Sequence, residues 1–332
     1  MKYTVGFLVL FLNISLYTSV CTAQPSASAI VPVDTTVLKT VTVAAGPQFK
    51  ASAWKQFWWG KHWRKEWLQT VTFPTFDIDT TAGGLTPKKM GGGHQTKSLR
   101  MLNKDGKEYV LRTIDKDLDL LIPEEFKGSI INDIVNDQIS TAHPYGPLTI
   151  ASLAGAIGAL HTNPVIVYVE DNTKFGEYRS IFANKLCLFE ERPSGDGWPG
   201  TAFSNYADDF DNTEKMYEKI EKNNDKQVDQ HSFLRIRLLD MLINDWDRHP
   251  DQWVWAAYKD KEKDKTTYVA FARDRDQAFS STDGVYITYL SFPWLLRSVR
   301  DFKAHIGDIA DVNLAAVSLD KQFTNQLSHY SP

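Results

Sequence analysis

The sequence predicts an α+β protein of two lobes, β-rich first and helical later. Three observations carry that expectation. Alternating apolar and polar residues dominate from Thr70 to Asp115. Helical stripes take over afterwards. The 332 residues exceed one ordinary domain of about 150. Strands gathered ahead of helices, with no internal repeat, belong to an α+β rather than an alternating α/β architecture.

Residues 1–23 read as an export signal. Lys2 gives a positive start, Val5 to Val20 is mostly apolar, and Cys21-Thr22-Ala23 places small residues where a signal peptidase needs them. The apolar run is broken by Asn13 and Ser15 and is shorter than the ~20 residues of a membrane span, so no transmembrane segment is expected once the signal is removed. Cleavage after Ala23 leaves Cys187 alone and excludes an intrachain disulfide. The expectation is a bacterial protein exported to the periplasm or beyond the cell. A lipid anchor on Cys21 is the rival reading, and the bulky Val20 before it disfavours that.

Residues 24–50, rich in Ala, Ser, Thr, Val and Pro, read as a spacer or an edge strand. The N-lobe is expected over 51–145 and the C-lobe over 146–332. Between Trp54 and Trp67 five Trp alternate with four cations. That pattern suits a surface for sugars or a partner, or else rings packed on the domain with Lys and Arg stems reaching water. Strands at 96–102 and 108–114 flank the hairpin signal Asn103-Lys104-Asp105-Gly106. A helix carries Ile131, Ile134, Val135, Gln138 and Ile139 on one stripe, and a small-residue apolar helix covers 148–160. Strands follow at 165–170 and 185–191. Thr213 is placed as the N-cap of a charged helix to Asn223. Asp229 caps a helix whose Leu234, Leu238, Met241 and Leu242 share a face. Strands at 252–258 and 266–272 enclose a solvated loop, and Phe292 to Val299 reads as a last helix.

The net charge is −4, with 42% apolar and 23% charged residues. That composition excludes wholesale disorder and shows no basic excess for nucleic acid or an anionic membrane. The chemistry concentrates in two clusters, Asn244 to Gln252 and Arg273 to Gln277. A helix, an acidic loop, a hairpin and a second acidic loop bring such clusters together in space. Carboxylates gathered there repel one another unless a cation or an Arg neutralises them, and hard oxygen ligands suit Mg²⁺ or Mn²⁺. The layout matches phosphoryl transfer from a nucleotide. One Asp orients the acceptor hydroxyl, an amide five residues on binds metal, and a second Asp past a hairpin bridges metal to phosphates.

The stretch Leu239 to His249, ending Asn244-Asp245-Trp246-Asp247-Arg248-His249, with the later Asp274-Arg275-Asp276-Gln277-Ala278-Phe279, resembles the active sites of atypical kinase-like proteins. These include secretory-pathway casein kinases, CotH-type spore-coat kinases, HipA-type kinases and, more distantly, phosphoinositide kinases; the chain also resembles a family of exported bacterial proteins. The resemblance implies a two-lobed protein-kinase-like fold that uses ATP. Asp247 takes the catalytic position, with Arg248 and His249 completing its motif and His249 acting as a hydrogen-bonder rather than a base. Gln252, Asp274 and Asp276 take the metal positions, Gln252 standing where Asn is usual. Gly91-Gly92-Gly93 would cover the nucleotide phosphates. Arg112 holds the place of the phosphate-binding Lys, with Lys97 or Lys116 as substitutes, and its acidic partner would be Asp133 or Asp137.

Two other functions remain in view. One is a kinase-like binding module without turnover that recognises a partner or glycan through the Trp-rich segment. The other is a haloacid-dehalogenase-type phosphatase with Asp77 of Asp77-Ile78-Asp79-Thr80-Thr81 as nucleophile; Pro74 in the strand before it weighs against that. A near-P-loop at Gly91 to Ser98 lacks the strand before it and the helix after it. Cys187 is expected to be core.

Overall fold

The computed structural model describes residues 39–91, 96–116, 124, 127–194, 197–286, 301–302 and 314–324. Strands β1 (Thr40–Ala44), β2 (Thr70–Phe76), β3 (Leu85–Gly91), β4 (Ser98–Asn103), β5 (Glu108–Thr113), β6 (Val165–Val169) and β7 (Lys185–Glu191) form one sheet in the order β1-β2-β6-β7-β5-β4-β3. Every pairing is antiparallel except β2 with β6. The β4–β5 turn is the expected one. Asn103 Oδ1 accepts from the backbone N–H of Asp105 and Lys107, at 3.0 and 2.9 Å, and Gly106 takes φ +76°. Side chains alternate across a strand, so Leu99, Met101, Leu111, Cys187 and Phe189 share one face and enter a buried core. Ser98, Arg100, Val110, Arg112, Leu188 and Glu190 share the opposite face.

The sheet draws on more of the chain than the division at residue 145 allows. β1 lies within the expected spacer, as the edge strand that was the spacer's other reading, while β6 and β7 come from within 146–332. The described residues all belong to one compact unit. A lobe boundary drawn where the alternation pauses misses strands that return to the sheet after helices. The signal segment 1–23 and the helix expected at Phe292 to Val299 lie outside the described residues.

The Trp-rich segment folds as α1 (Ala53–Trp59) and α2 (Arg64–Leu68), and its two halves behave differently. Trp63 Nε1 donates to the Phe279 carbonyl at 2.7 Å and Trp67 Nε1 to that of Ala142 at 2.8 Å, so the second half packs. Trp54, Phe57 and Trp58 stay exposed. Between the halves the backbones of Gly60 (φ +105°) and Gly284 (φ +103°) meet. A β-carbon on Gly284 would lie 2.4 Å from the Gly60 nitrogen, a contact only glycine permits. The Asp283 carboxylate accepts the Lys61 and His62 backbone N–H groups at 3.1 and 2.8 Å, pinning this junction.

Further helices are α3 (Ile130–Asp137), α4 (Gly146–Ala156), α5 (Arg179–Phe182), α6 (Thr213–Lys222), α7 (Gln230–Leu242) and α8 (Val317–Phe323). Asn212, not Thr213, caps α6, its side chain accepting from Lys215 N–H at 2.8 Å. Thr213 instead donates its hydroxyl to the Pro250 carbonyl at 2.6 Å. Asp229 caps α7 as expected. A second sheet has the order β8-β10-β11-β9, from β8 (Asp209–Asn212), β9 (Lys226–Val228), β10 (Trp253–Asp260) and β11 (Lys265–Ala272). Trp253, Trp255 and Tyr268 from one face of this sheet pack with Phe233 and Ile236 of α7 and with Leu319 and Phe323 of α8.

The buried face of α7 is offset from the expected stripe. Phe233, Ile236, Arg237 and Asp240 point inward, while Leu238 and Leu242 are 54% and 67% exposed. A stripe drawn from apolar residues alone excludes Arg237 and Asp240, which go inside because they neutralise each other at 2.7 Å.

Asp137 sits buried at the end of α3. It receives Arg64 Nη1 and Nη2 at 2.8 and 2.6 Å. Asp137→Ala is expected to lower unfolding free energy by about 3–5 kcal/mol, because it strands a buried guanidinium. Urea unfolding of the two proteins measures this; a loss under about 1 kcal/mol would show that Arg64 finds another acceptor or reaches water.

Candidate functional site

Hairpin register builds this site. Trp253 pairs with Ala272 across β10 and β11, so Gln252 and Arg273 are neighbours where the two acidic loops leave the sheet. Arg273 N–H donates to the Gln252 carbonyl at 2.8 Å. The loops face the polar side of the seven-stranded sheet across a cleft of about 560 Å³. Arg100, Arg112 and Glu190 line it from the sheet, and Asp247, Gln252 and Asp274 from the loops.

Asp274 adopts φ +53°, a left-handed conformation that Asp tolerates better than most residues. Its Oδ1 accepts from Arg112 Nη1 at 2.7 Å, and Arg112 Nη2 donates to Glu190 Oε1 at 3.2 Å. The Thr162 hydroxyl donates to the other Glu190 oxygen at 2.7 Å. Lys116 pairs with Asp276. Burial raises the Asp247 carboxyl above the ordinary Asp value, reinforced by Asp276 and Asp274 against the pull of His249. His249 lines the cleft, half-exposed, 3.8 Å from Asp251. Gln252 is buried and lines the cleft, and its Oε1 has no hydrogen-bond partner. An orphaned buried carbonyl oxygen fits a cation or a ligand donor.

Arg248 does not reach the cleft. It is fully buried, donating to Asp240 at 3.1 Å, to Asp245 and to the Arg273 carbonyl. Its role is to position the loops rather than to touch a reactant. Burial alone would raise the Asp240 carboxyl. Arg248, Arg275 and Arg237 reverse that and hold it below the usual range. Asp245 has Arg248 as its close partner and an unpartnered Oδ1, and burial drives its carboxyl up to about 6.

Other assignments change as well. Asp137 belongs to Arg64 and Lys55; the acid beside Arg112 is Glu190, one strand over. Lys97 is not among the cleft-lining residues, although its neighbours Thr96 and Ser98 are. Gly91 ends β3 opposite Ser98, so this stretch joins two antiparallel strands and is no P-loop. Gly92 and Gly93 lie outside the described residues. Asp77 is exposed and organises a turn, accepting from Asp79 N–H at 3.0 Å and the Thr80 hydroxyl at 2.9 Å. The largely antiparallel sheet beside it is not the parallel sheet a phosphatase nucleophile needs. Arg100 was readable from strand alternation across the β4–β5 hairpin, since it shares the face of Arg112, whereas Glu190 joins that face only through the β5–β7 pairing. Arg273 was readable from the hairpin.

For a divalent ion the fit is partial. Gln252, Asp274 and Asp276 line one cleft. Among the described residues, no three Asp, Glu, His or Cys side chains are grouped so as to hold a metal.

The two buried acids predict opposite behaviour. Asp240→Asn is expected to cost about 3–5 kcal/mol, since three arginines lose their common anion. Asp245→Asn should cost less and should flatten the pH dependence of stability. With Asp245 raised from 3.8 to about 6 on folding, the folded state keeps a proton that the unfolded chain has released between those values. Stability therefore falls as pH rises through that window. Denaturation of wild type and Asp245→Asn from pH 4 to 7 checks this; identical slopes would reject it.

No protein-family profile matches the chain, and no curated protein matches it at a significant level.

Proposed function

We propose that the cleft binds a nucleoside triphosphate, ATP, with Mg²⁺ or Mn²⁺, and transfers its terminal phosphoryl group to a hydroxyl, in a kinase-like two-lobed arrangement exported from a bacterial cell. The single observation that supports this is that Asp247, Gln252, Asp274 and Arg112 line one cleft, although Arg112 and Asp274 lie 162 positions apart. The lining holds six carboxylates, from Glu190, Glu191, Asp247, Asp251, Asp274 and Asp276, against four arginines. A triphosphate entering an acidic cleft needs an added cation.

In this reading Asp247, its carboxyl raised by burial, orients the acceptor hydroxyl and takes its proton. Arg112 offers a planar fork that binds phosphate through two parallel donors, and Glu190 aims that fork from the next strand. Gln252, Asp274 and Asp276 would hold the divalent ion, which would neutralise charge on the transferring group. Outside the cytoplasm the nucleotide has to be supplied to the protein.

A second reading, binding without turnover, is favoured by a specific observation. Both predicted metal-ligating Asp side chains already carry cations, Asp274 with Arg112 and Asp276 with Lys116. A ligand must share or displace those pairs before metal can enter.

Transfer of labelled terminal phosphate from ATP with Mn²⁺ to a hydroxyl acceptor, or to the protein itself, separates the two. Asp247→Asn is expected to reduce it by about 10²–10⁴-fold while the thermal shift on adding ATP and Mn²⁺ is kept. Asp274→Ala is expected to abolish that shift. A shift unchanged in Asp274→Ala would reject the metal site, and a normal shift with no transfer would favour the binding module.

A further inference from the structure

We propose that the exposed face of α1 is an interfacial membrane-binding surface, which seats the protein on an anionic lipid bilayer. This is independent of the phosphoryl-transfer reading. Trp54, Phe57 and Trp58 sit at i, i+3 and i+4, one face of the helix, and are 71%, 57% and 38% exposed. They touch mainly one another. Trp58 stands edge-on to Trp54 at 5.6 Å and to Phe57 at 5.3 Å. The helix is held from its other side, where Lys55 pairs with Asp137 at 2.8 Å and Trp59 packs on Tyr286 at 4.6 Å.

Charge selects the occupant. Lys50 and Lys61 are exposed at either end of a helix that rises only about 10 Å, and exposed Lys65 follows on α2. The net −4 of the whole chain hides this local cationic rim. A sugar site would be concave, with polar groups converging on it. These rings are exposed instead, Trp54 and Phe57 near-parallel at 6.4 Å with Trp58 edge-on to both, and the cleft described above does not include them. Aromatic rings that enter the headgroup layer, with lysines reaching anionic lipid around them, describe an interfacial helix.

Residues 5–20 are mostly apolar, so total lipid binding by the full chain would not single out α1. The decisive readout is tryptophan quenching by vesicles of phosphatidylcholine and phosphatidylglycerol with brominated acyl chains. Trp54→Phe/Trp58→Phe keeps the surface apolar but removes its reporters, and is expected to lower the quenched signal at least about threefold. Lys50→Glu/Lys61→Glu/Lys65→Glu is expected to abolish quenching of the α1 tryptophans at lipid levels where the unaltered chain is quenched. Each lysine near an anionic surface is worth a factor of about five in affinity. Quenching equal in the unaltered and Trp-substituted chains would overturn the proposal. So would quenching unaffected by the charge reversals, or self-association that shields these tryptophans without lipid.

Discussion

The Arg248 guanidinium holds the candidate site together. One side chain ties Asp240 on α7, Asp245 on its own loop and the Arg273 carbonyl that leads into Asp274. Burying a guanidinium is costly unless every donor is met, and two carboxylates and a carbonyl meet these. Arg275 and Arg237 share Asp240 from other directions, so the helix and the two acidic loops form one electrostatic unit. Trp253 covers it, its ring 5.6 Å from the Arg248 guanidinium carbon. No member can be moved alone without exposing a bare charge to the core.

That unit also accounts for backbone strain at the cleft. Asn244 and Asp274 take φ +56° and +53°, and left-handed backbone costs a residue with a side chain about 1–2 kcal/mol. Asn and Asp bear it most easily, and the Arg248 bonds on either side oppose relaxation. Strain held this way fixes where a short carboxylate points, and a short side chain has little other means of choosing its direction.

How much of this was legible in the sequence depends on the range of the interaction concerned. The convergence of Asp247, Gln252 and Asp274 follows from helix, loop and hairpin in unbroken succession, all local signals. Alternation on β4, β5 and β7 likewise fixes which residues share a face, so Glu190 was within reach once β7 was taken as a neighbour of β5. Which strands become neighbours is a long-range matter: β7 reaches β5 after α3, α4, β6 and α5, and no local pattern reports it. Asp137 was misplaced for the same reason. A helical stripe shows that one face is buried, but not whether it meets Arg112 or an arginine from 73 positions earlier. The α7 offset has another origin. Burial was inferred from apolarity, and an ion network buries charges in its place.

The cleft itself follows from a limitation of the large sheet. One face carries the largest core cluster, and the other carries a smaller one around Phe73, Ile166 and Leu186 together with Arg100, Arg112 and Glu190, charges that a dry core could not accept without full pairing. The acidic loops approach that face without closing on it. Arg112 meets Asp274 and Glu190, yet its Nε, buried, has no partner, and neither does the buried Nε of Arg273. The buried Gln252 oxygen is likewise without a hydrogen-bond partner. Arg112, in contact with Asp274 at 2.7 Å, joins the sheet to the second acidic loop, 162 positions away along the chain.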